Sequence, residues 1–209
     1  MDKTYILYGR PGTGSLVVQI ALEELSLLYE RVWVGSEPSD VERFRDINPT
    51  GKVPALRLPD GAVIFESAAI LMHLGTLDAG AKLAPRSGTS RHALFLQSIA
   101  FLSANVYEAA LRLFYASRYS TRGEADAAVI AAQAGIDYAA HLELIGRTLD
   151  PYVLGADYTL ADPYLYMLAS WLPENQELLA RVPALATHAD KVSSRAAVKK
   201  VEADHAKHA

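Results

Sequence analysis

The stretch from Asn48 to Ser67 constrains the fold of this chain more than any other part. It reads as a turn, a short apolar strand opened by Val53-Pro54, a Pro-Asp-Gly turn, a second short strand and the start of a helix near Ser67. Proline has no N–H to give to a β-ladder, so it belongs at the first residue of a strand or at a sheet edge. A cis Val53-Pro54 bond would also turn the chain sharply. These features predict a β-hairpin that leads into a helix.

The same stretch indicates a binding surface. A sharp turn at Val53 leaves its backbone N–H and C=O unpaired, which is costly unless water or a ligand pairs them. Glu66 and Ser67 stand where a helix begins, and the free N–H groups and positive dipole end of a helix N-terminus attract anions. Taken singly, these features are explained by a turn and a helix cap. Taken together, they lead us to expect a ligand.

The first 78 residues predict an α/β domain with the element order β-α-β-α-β-β-α. A strand, a helix and a strand in close succession form a βαβ unit, whose two strands are parallel. The hairpin then adds an antiparallel pair. The predicted strands span residues 5–8, 29–34, 53–58 and 62–65, and the predicted helices span residues 15–28, 39–47 and 67–78.

Residues 79–88 are rich in Gly, Ala and Pro and lack periodicity, so they predict a linker. Beyond them the chain shows no strand-like alternation, and residues 89–209 predict an all-α domain. Its first long helix has an apolar stripe that consists of Phe95, Ile99, Leu102, Val106, Ala109 and Leu113. A second helix, over residues 125–149, has a stripe of mostly small residues that permits close helix packing and consists of Ala128, Ala132, Gly135, Ala139 and Leu142. A further helix begins at Thr159, where Asp162 completes a capping box.

Composition argues against several classes of function. The 209-residue chain has no cysteine, so it has no disulfide, no thiolate metal site and no cysteine nucleophile. Its net charge of -4 gives no basic surface for nucleic acid. The six histidines show no metal-ligand spacing, and we predict no metal site. No apolar run approaches the ~18 residues of a membrane span, and the N-terminus lacks the apolar core of a signal peptide. We therefore expect a cytoplasmic protein that binds no membrane.

Two motifs resemble those of the glutathione transferase family, and the likeness covers essentially the whole chain. The first is Asn48-Pro49-Thr50-Gly51-Lys52-Val53-Pro54-Ala55-Leu56 followed by Glu66-Ser67; the second is Tyr158-Thr159-Leu160-Ala161-Asp162. The resemblance implies a thioredoxin-like N-terminal domain over residues 1–78, a linker near residue 80 and an all-α bundle domain. It also implies a homodimer with the third and fourth helices at the interface.

The resemblance implies a role for five residues in binding glutathione. The backbone of Val53 would pair with the cysteinyl part of the tripeptide beside a cis Pro54. Glu66 and Ser67 would hold the γ-glutamyl end, because a carboxylate is stabilised at a helix N-terminus and an ammonium group needs an acceptor. Lys52 stands where family members often place a side chain that reaches the other end of the ligand.

The residue that activates the thiol departs from the family pattern. The Pro11-Gly12 pair aligns this loop with cysteine-bearing bacterial members, but Gly14 occupies the cysteine position. Three hydroxyl groups remain as catalytic candidates, those of Thr13, Ser15 and Tyr8. Thr13 lies where serine-type members keep their serine. Ser15 could donate to a thiolate or simply cap the first helix, and Tyr8 is also explained as a core residue.

A second, mixed stripe on the long helix predicts a wall of the electrophile site. Its polar and aromatic members are Asn105, Glu108, Arg112 and Tyr115. A mixed stripe of this kind suits a cleft between the two domains. It is equally explained as a solvated helix face.

Three functions follow from the resemblance. The first is a glutathione transferase that conjugates the glutathione thiolate to small hydrophobic electrophiles, with glutathione as co-substrate and no other cofactor. The second is a glutathione-dependent disulfide or peroxide reductase. The third is a non-catalytic glutathione-binding or regulatory protein, which the missing cysteine favours.

Overall fold

The structure is a computed structural model that describes residues 4–78, 82–172 and 176–208. It divides into two units. The first unit comprises the described residues up to Ser87 together with those from Ser193 onward, and the second runs from Gly88 to Val192. Residues 79–81 of the predicted linker lie outside the described residues.

The first unit contains the predicted thioredoxin-like fold. Its strands are β1 (Tyr5–Gly9), β2 (Tyr29–Trp33), β3 (Ala55–Arg57) and β4 (Val63–Phe65), and its first helices are α1 (Ser15–Glu24), α2 (Pro38–Phe44) and α3 (Ser67–Gly75). The sheet order is β2-β1-β3-β4. The β1–β2 pair is parallel, and the other two pairs are antiparallel. The predicted βαβαββα order is therefore confirmed, as is the cis bond at Val53-Pro54.

Helix α1 ends four residues earlier than the sequence predicts. Ser26 adopts a left-handed conformation, with φ of 53°. The Leu27 N–H donates to the Leu22 carbonyl at 3.0 Å, and the Ser26 N–H donates to the Glu23 carbonyl at 3.0 Å. This pair of bonds is the Schellman motif, which satisfies carbonyls at a helix C-terminus. The apolar residues that follow therefore belong to a turn before β2.

The C-terminal helix α10 (Ala196–Ala206) belongs to the first unit. The sequence predicts one helical domain over residues 89–209, whereas in the structure the residues from Ser193 onward group with the N-terminal fold. Two nitrogens of Arg195, just before α10, donate to the Glu24 carboxylate at 2.5 and 2.8 Å. Val198 and Val201 on α10 are fully buried. Pairing across such a long stretch of chain has no local sequence signal.

The second unit is helical throughout its named elements. These are α4 (Ser90–Phe101), a π-helical segment (Leu102–Tyr107), α5 (Glu108–Phe114), a 3₁₀ turn (Ala116–Tyr119), α6 (Glu124–Gly146), α7 (Ala161–Trp171), α8 (Gln176–Arg181) and α9 (Pro183–Ser193). The mostly helical C-terminal part is thus confirmed.

The long run from Ser90 to Phe114 contains the predicted apolar stripe. Its buried members are Phe95, Ile99, Leu102, Val106 and Ala109. By length and composition alone, this 25-residue run, which contains an 18-residue window with a mean hydropathy of 1.3, could cross a membrane. A count of uninterrupted apolar residues misses the run because polar side chains such as Gln97 interrupt it. Burial of the stripe inside the second unit identifies the run as a core helix.

Helix α6 buries only the C-terminal end of the stripe predicted for it, at Leu142. Ala128 and Ala132, which belong to the predicted stripe of small residues, are exposed. The buried residues are Ala134, Tyr138, Leu142, Ile145 and Gly146. Alanine is compatible with both exposed and buried helix positions, so an alanine stripe is a weak indicator of the packed face.

The capping box at the start of α7 is present, with a helix that begins later than predicted. Oδ2 of Asp162 accepts from the Thr159 N–H at 2.6 Å and from the Thr159 hydroxyl at 3.1 Å. The Thr159 hydroxyl oxygen accepts from the Ala161 N–H at 3.3 Å. Oδ1 of Asp162 accepts from the Val153 N–H at 2.8 Å, so the same carboxylate fixes the preceding loop.

Candidate functional site

Strand register brings the predicted binding residues of the first unit to one edge of the sheet. Tyr8 on β1 pairs with Ala55 on β3, and Ala55 pairs with Phe65 on β4. Because β3 is antiparallel to both neighbours, the end of β1, the start of β3 and the end of β4 lie side by side. The loop after Gly9, the Val53-Pro54 turn and Glu66-Ser67 therefore leave the sheet at the same edge.

Val53 presents an unpaired backbone at this edge. Among the residues that the structure describes, none donates to its C=O or accepts from its N–H. The Val53 side chain is half-buried and contacts the cluster of Tyr8, Phe44 and Ala55, so the backbone is held in place. The cis peptide bond to the buried Pro54 follows directly. An extended peptide ligand would find both a donor and an acceptor here.

Asn48 organises the loop that precedes Val53, and the sequence analysis gave it no role. The side chain is 1% exposed. Its Oδ1 accepts from the Thr50 N–H at 3.1 Å and the Thr50 hydroxyl at 3.0 Å, and its Nδ2 donates to the Lys52 carbonyl at 2.5 Å. An asparagine before Pro-Thr-Gly is typical of a side chain that bonds to the backbone two residues on, which is the signal that could have revealed it. The Lys52 side chain itself is exposed.

Glu66 has a strained backbone at the start of α3. Its φ is 69° and its ψ is 113°, a combination that residues other than glycine rarely adopt. Its carbonyl accepts from the Ile70 N–H at 2.9 Å, and its side chain is exposed. Ser67 follows as the first residue of α3 and is 5% exposed. Strain of this kind persists where the surrounding structure enforces it, often at ligand sites.

The loop between β1 and α1 contains two of the three catalytic candidates in one hydrogen-bonded ring. The Arg10 carbonyl accepts from the Thr13 hydroxyl at 2.7 Å and from the Ser15 hydroxyl at 2.8 Å. The Arg10 N–H donates to Oγ of Ser15 at 3.0 Å. The two hydroxyl oxygens lie 2.9 Å apart. Ser15 is fully buried, whereas Thr13 is half-buried.

Two neighbouring features hold this loop in position. The Arg10 side chain donates through Nε to the Val34 carbonyl at 3.0 Å and through Nη2 to the Gly35 carbonyl. A Cβ atom on Gly9 would lie 2.7 Å from Cβ of Ser15, so the end of β1 requires glycine. The predicted N-cap is also shifted by one residue, because Gly14 holds that position and Ser15 is the first residue of α1.

Tyr8, the third catalytic candidate, is part of the core. It is 6% exposed, and its ring centroid lies 5.7 Å from that of Phe44. The guanidinium carbon of Arg57 lies 5.7 Å from the same ring. These contacts favour the packing explanation that the sequence left open.

The electrophile-site candidates lie in the second unit and take part in contacts between its helices. Arg112 bonds to Asp137 on α6 at 3.3 Å and lies 3.7 Å from Glu108. Glu108 also accepts from the Tyr119 hydroxyl at 3.2 Å. Tyr115 lies under the Arg118 guanidinium, 4.2 Å from its carbon, and Asn105 lies in the π-helical segment. Their part in a cleft stays a prediction.

One groove of the first unit is lined by none of the predicted site residues. This groove, of about 740 Å³, lies at the opposite edge of the sheet, between the end of α1, the start of β2 and α10. Its charged lining residues include Glu23, Arg31, Lys200 and Asp204. In residues 4–78, 82–172 and 176–208, no group of three or more His, Asp or Glu side chains is placed to hold a metal.

Comparison with known proteins finds glutathione transferases and glutathione transferase-like proteins as relatives over most of the chain. Residues 15–77 match the family model described as "Glutathione S-transferase, N-terminal domain". The chain is 30% identical over 192 residues to the GST-like protein YncG of Escherichia coli strain K12, covering 89% of this chain and 91% of that protein. It is also 30% identical over 208 residues to the glutathione S-transferase-like protein OpS6 of Beauveria bassiana, covering 94% and 93% of the two chains.

Solved structures agree with these relatives. A glutathione transferase homologue from Sulfitobacter, with bound glutathione, has a TM-score of 0.87 and 30% identity and covers 97% of this chain and 98% of its own. A sphingomonad glutathione S-transferase complexed with glutathione has a TM-score of 0.78 and 27% identity, covering 96% and 98%. This chain therefore belongs to the glutathione transferase family.

Proposed function

We propose that this protein binds glutathione at the sheet edge of the first unit and conjugates its thiolate to small hydrophobic electrophiles. The observation that carries the proposal is the unpaired backbone of Val53, which leaves the sheet beside the start of α3 and the Thr13 loop. A backbone edge, a helix N-terminus and a hydroxyl group match the peptide, carboxylate and thiol of one tripeptide.

In the proposed complex, the cysteinyl part of glutathione pairs with the Val53 backbone as an added strand. The γ-glutamyl carboxylate lies at the N-terminus of α3, where the Ser67 hydroxyl and backbone N–H groups donate to it. The exposed Glu66 carboxylate accepts from the ligand's ammonium group. Lys52 reaches the glycyl carboxylate. The bound glutathione in the Sulfitobacter relative supports this ligand for the family.

The chemistry requires an ionised thiol. With a pKa of about 8.5, a free thiol is only a few per cent thiolate at neutral pH. A hydrogen bond from the Thr13 hydroxyl, together with the N-terminus of α1, would lower that pKa by about one to two units. The thiol proton leaves to water. The thiolate then attacks an electrophilic carbon, a C–S bond forms, and a leaving group such as chloride takes the displaced electron pair.

Three further properties belong to this proposal. The electrophile lies against the stripe of Asn105, Glu108, Arg112 and Tyr115, and no cofactor other than the co-substrate glutathione is needed. The protein is a cytoplasmic homodimer that binds neither membrane nor nucleic acid, and it acts in detoxification. Sedimentation analysis of the purified chain tests the dimer directly.

Calorimetry with glutathione tests binding. We expect saturable binding that Ser67→Ala weakens about tenfold, since one charge-assisted hydrogen bond is lost. Ser98→Ala is a matched control, because its exposed hydroxyl only donates to the Leu94 carbonyl at 2.9 Å. Absence of binding to the unsubstituted protein would contradict the proposal.

Two activity assays then separate the reactions. We expect turnover of chlorodinitrobenzene with release of chloride. Turnover of hydroxyethyl disulfide instead would indicate the glutathione-dependent reductase. Binding without turnover in either assay would indicate the regulatory protein.

A further inference from the structure

The hydroxyl ring around the Arg10 carbonyl contains more donors than a helix start needs. Two hydroxyl hydrogens, from Thr13 and Ser15, both lie within reach of one carbonyl oxygen, at 2.7 and 2.8 Å. The Ser15 oxygen is already an acceptor for the Arg10 N–H. One donor satisfies the carbonyl, so the second hydrogen is available for another acceptor.

Burial distinguishes the two hydroxyl groups. Ser15 is fully buried, so its hydrogen can reach only the Arg10 carbonyl or the Thr13 oxygen. Thr13 is half-buried, so its hydroxyl can turn toward a ligand. When it turns, the Arg10 carbonyl keeps its bond from Ser15 at 2.8 Å. The rotation of the Thr13 hydroxyl therefore leaves no backbone acceptor without a donor. An unpaired carbonyl would have made the rotation costly.

We propose that Ser15 is a positioning residue whose hydroxyl holds the Arg10 carbonyl, so that Thr13 is free to donate its hydrogen bond to the glutathione thiolate. This inference rests on the proposed function and adds the residue that positions its activating hydroxyl. Thr13 touches the sulfur, and Ser15 acts only through Thr13. The close packing of Gly9 against Ser15 fixes the ring at the end of β1.

The test is a double-mutant cycle read out by ultraviolet titration of the bound thiolate. Thr13→Val removes the donor at constant shape, and we expect the pKa of the bound thiol to rise by about one unit. Ser15→Ala leaves the Thr13 hydroxyl bound to the Arg10 carbonyl, so the pKa rises by about half a unit. The double variant shows no larger rise than Thr13→Val alone, and Thr13→Ser restores the original value.

Matched controls are available for both changes. The Thr76 hydroxyl donates to the carbonyl three residues earlier, His73, at 2.7 Å, and so repeats the Thr13 geometry on the exposed end of α3. The Ser170 hydroxyl likewise donates to the carbonyl of Met167, three residues earlier, at 2.7 Å. Thr76→Val and Ser170→Ala are expected to leave the thiol pKa unchanged. Affinity for S-methylglutathione, which has no ionisable thiol, should be unchanged in every variant.

Three results would overturn the inference. These are an unchanged pKa in Ser15→Ala, an unchanged pKa in Thr13→Val, or additive rises in the double variant, which would mean that Ser15 contacts the sulfur itself. A wild-type protein that neither binds S-methylglutathione nor ionises the thiol would instead overturn the proposed function. If Ser15→Ala does not fold, Ser15→Cys replaces it with a phosphine reductant present, because a thiol is a weak donor of similar size and the same outcomes apply.

Discussion

Nε2 of His188 lies 3.1 Å from Oδ1 of Asp162, and both side chains are almost fully buried in the second unit. The same carboxylate accepts from the backbone of Val153 and Thr159. One buried group therefore joins the start of α7, the preceding loop and α9. Removing it would leave several buried donors without an acceptor, which is far more costly than losing one surface contact.

We expect Asp162→Ala to lower the free energy of unfolding by about 3 to 5 kcal/mol. Asp162→Asn keeps one oxygen and should cost about 1 to 3 kcal/mol. Asp157→Asn is the control, since Asp157 pairs with Arg91 at the surface and should change stability by less than about 1 kcal/mol. Urea unfolding measures all three. Equal stability of Asp162→Ala and the control would show that the buried carboxylate is not required.

The Glu24–Arg195 pair gives a second prediction. Glu24 has a 9% exposed side chain and receives both guanidinium bonds of Arg195. Glu24→Gln should therefore destabilise the protein by about 1 to 2 kcal/mol and increase hydrogen exchange in α10. Glu42→Gln breaks the exposed pair with Arg45 and should cost less than about 0.5 kcal/mol. Unchanged exchange in α10 would contradict a role for Glu24 in docking this helix.

His205 is expected to make the stability of the protein fall at acid pH. Burial, followed by the positive charges of Arg31 and His208, lowers the pKa of His205 to about 4. Its Nε2 lies 3.0 Å from Oε1 of Gln19, and its ring contacts Trp33 edge-on at 5.0 Å. In the unfolded chain the pKa is about 6.5. Between these values the unfolded state binds a proton that the folded state does not.

Stability from this group is therefore complete above about pH 6.5 and is lost as the pH falls toward about 4, by roughly 1 to 3 kcal/mol. The measurement is the free energy of unfolding in urea for the wild type and for His205→Gln. The difference between the two proteins should shrink as the pH is lowered through this window. A difference that is independent of pH would contradict the prediction.

Glu66 and Ser26 provide a matched pair of strained residues. They are the two described non-glycine residues with positive φ, at 69° and 53°. Replacing either with glycine relieves strain, so both variants should be more stable, by about 0.5 to 1 kcal/mol for Ser26→Gly and about 1 to 2 kcal/mol for Glu66→Gly. Only Glu66→Gly should weaken glutathione binding, by about tenfold, because it also removes the ammonium acceptor.

Glu66→Gln separates the two effects. It keeps the strained backbone, so its stability should match the wild type while its glutathione affinity falls. Thermal unfolding and calorimetry give both values. Equal affinity of Glu66→Gly and Ser26→Gly would exclude Glu66 from the site.

Much of the fold follows from local sequence signals. Val53-Pro54 and Glu66-Ser67 predict the hairpin and the start of α3, because proline and helix ends restrict the backbone within a few residues. The cis bond at Val53-Pro54 is what the family resemblance implies. The stripe from Phe95 to Ala109 is likewise correct, since helical periodicity survives the π-helical segment. The predicted binding residues of the first unit lie at a turn or at a helix start, where the local sequence restricts the backbone conformation.

Other features depend on residues far apart in the chain. Arg195 and Glu24 are 171 residues apart, and no periodicity predicts that α10 joins the first unit. Helix α6 buries Tyr138 and leaves Ala128 and Ala132 exposed, because the neighbouring helices select the packed face.

The loop between β1 and α1 shows the same division between sequence and tertiary structure. The sequence Thr13-Gly14-Ser15 shows which hydroxyl groups are available, because the residue type determines the chemistry of a side chain. Which hydroxyl-bearing residue is fully buried and which is half-buried depends on how the end of β1 packs against α1, where Gly9 leaves room for Ser15. Residue type thus sets what chemistry is available, and burial and distance in the folded chain set which group performs it.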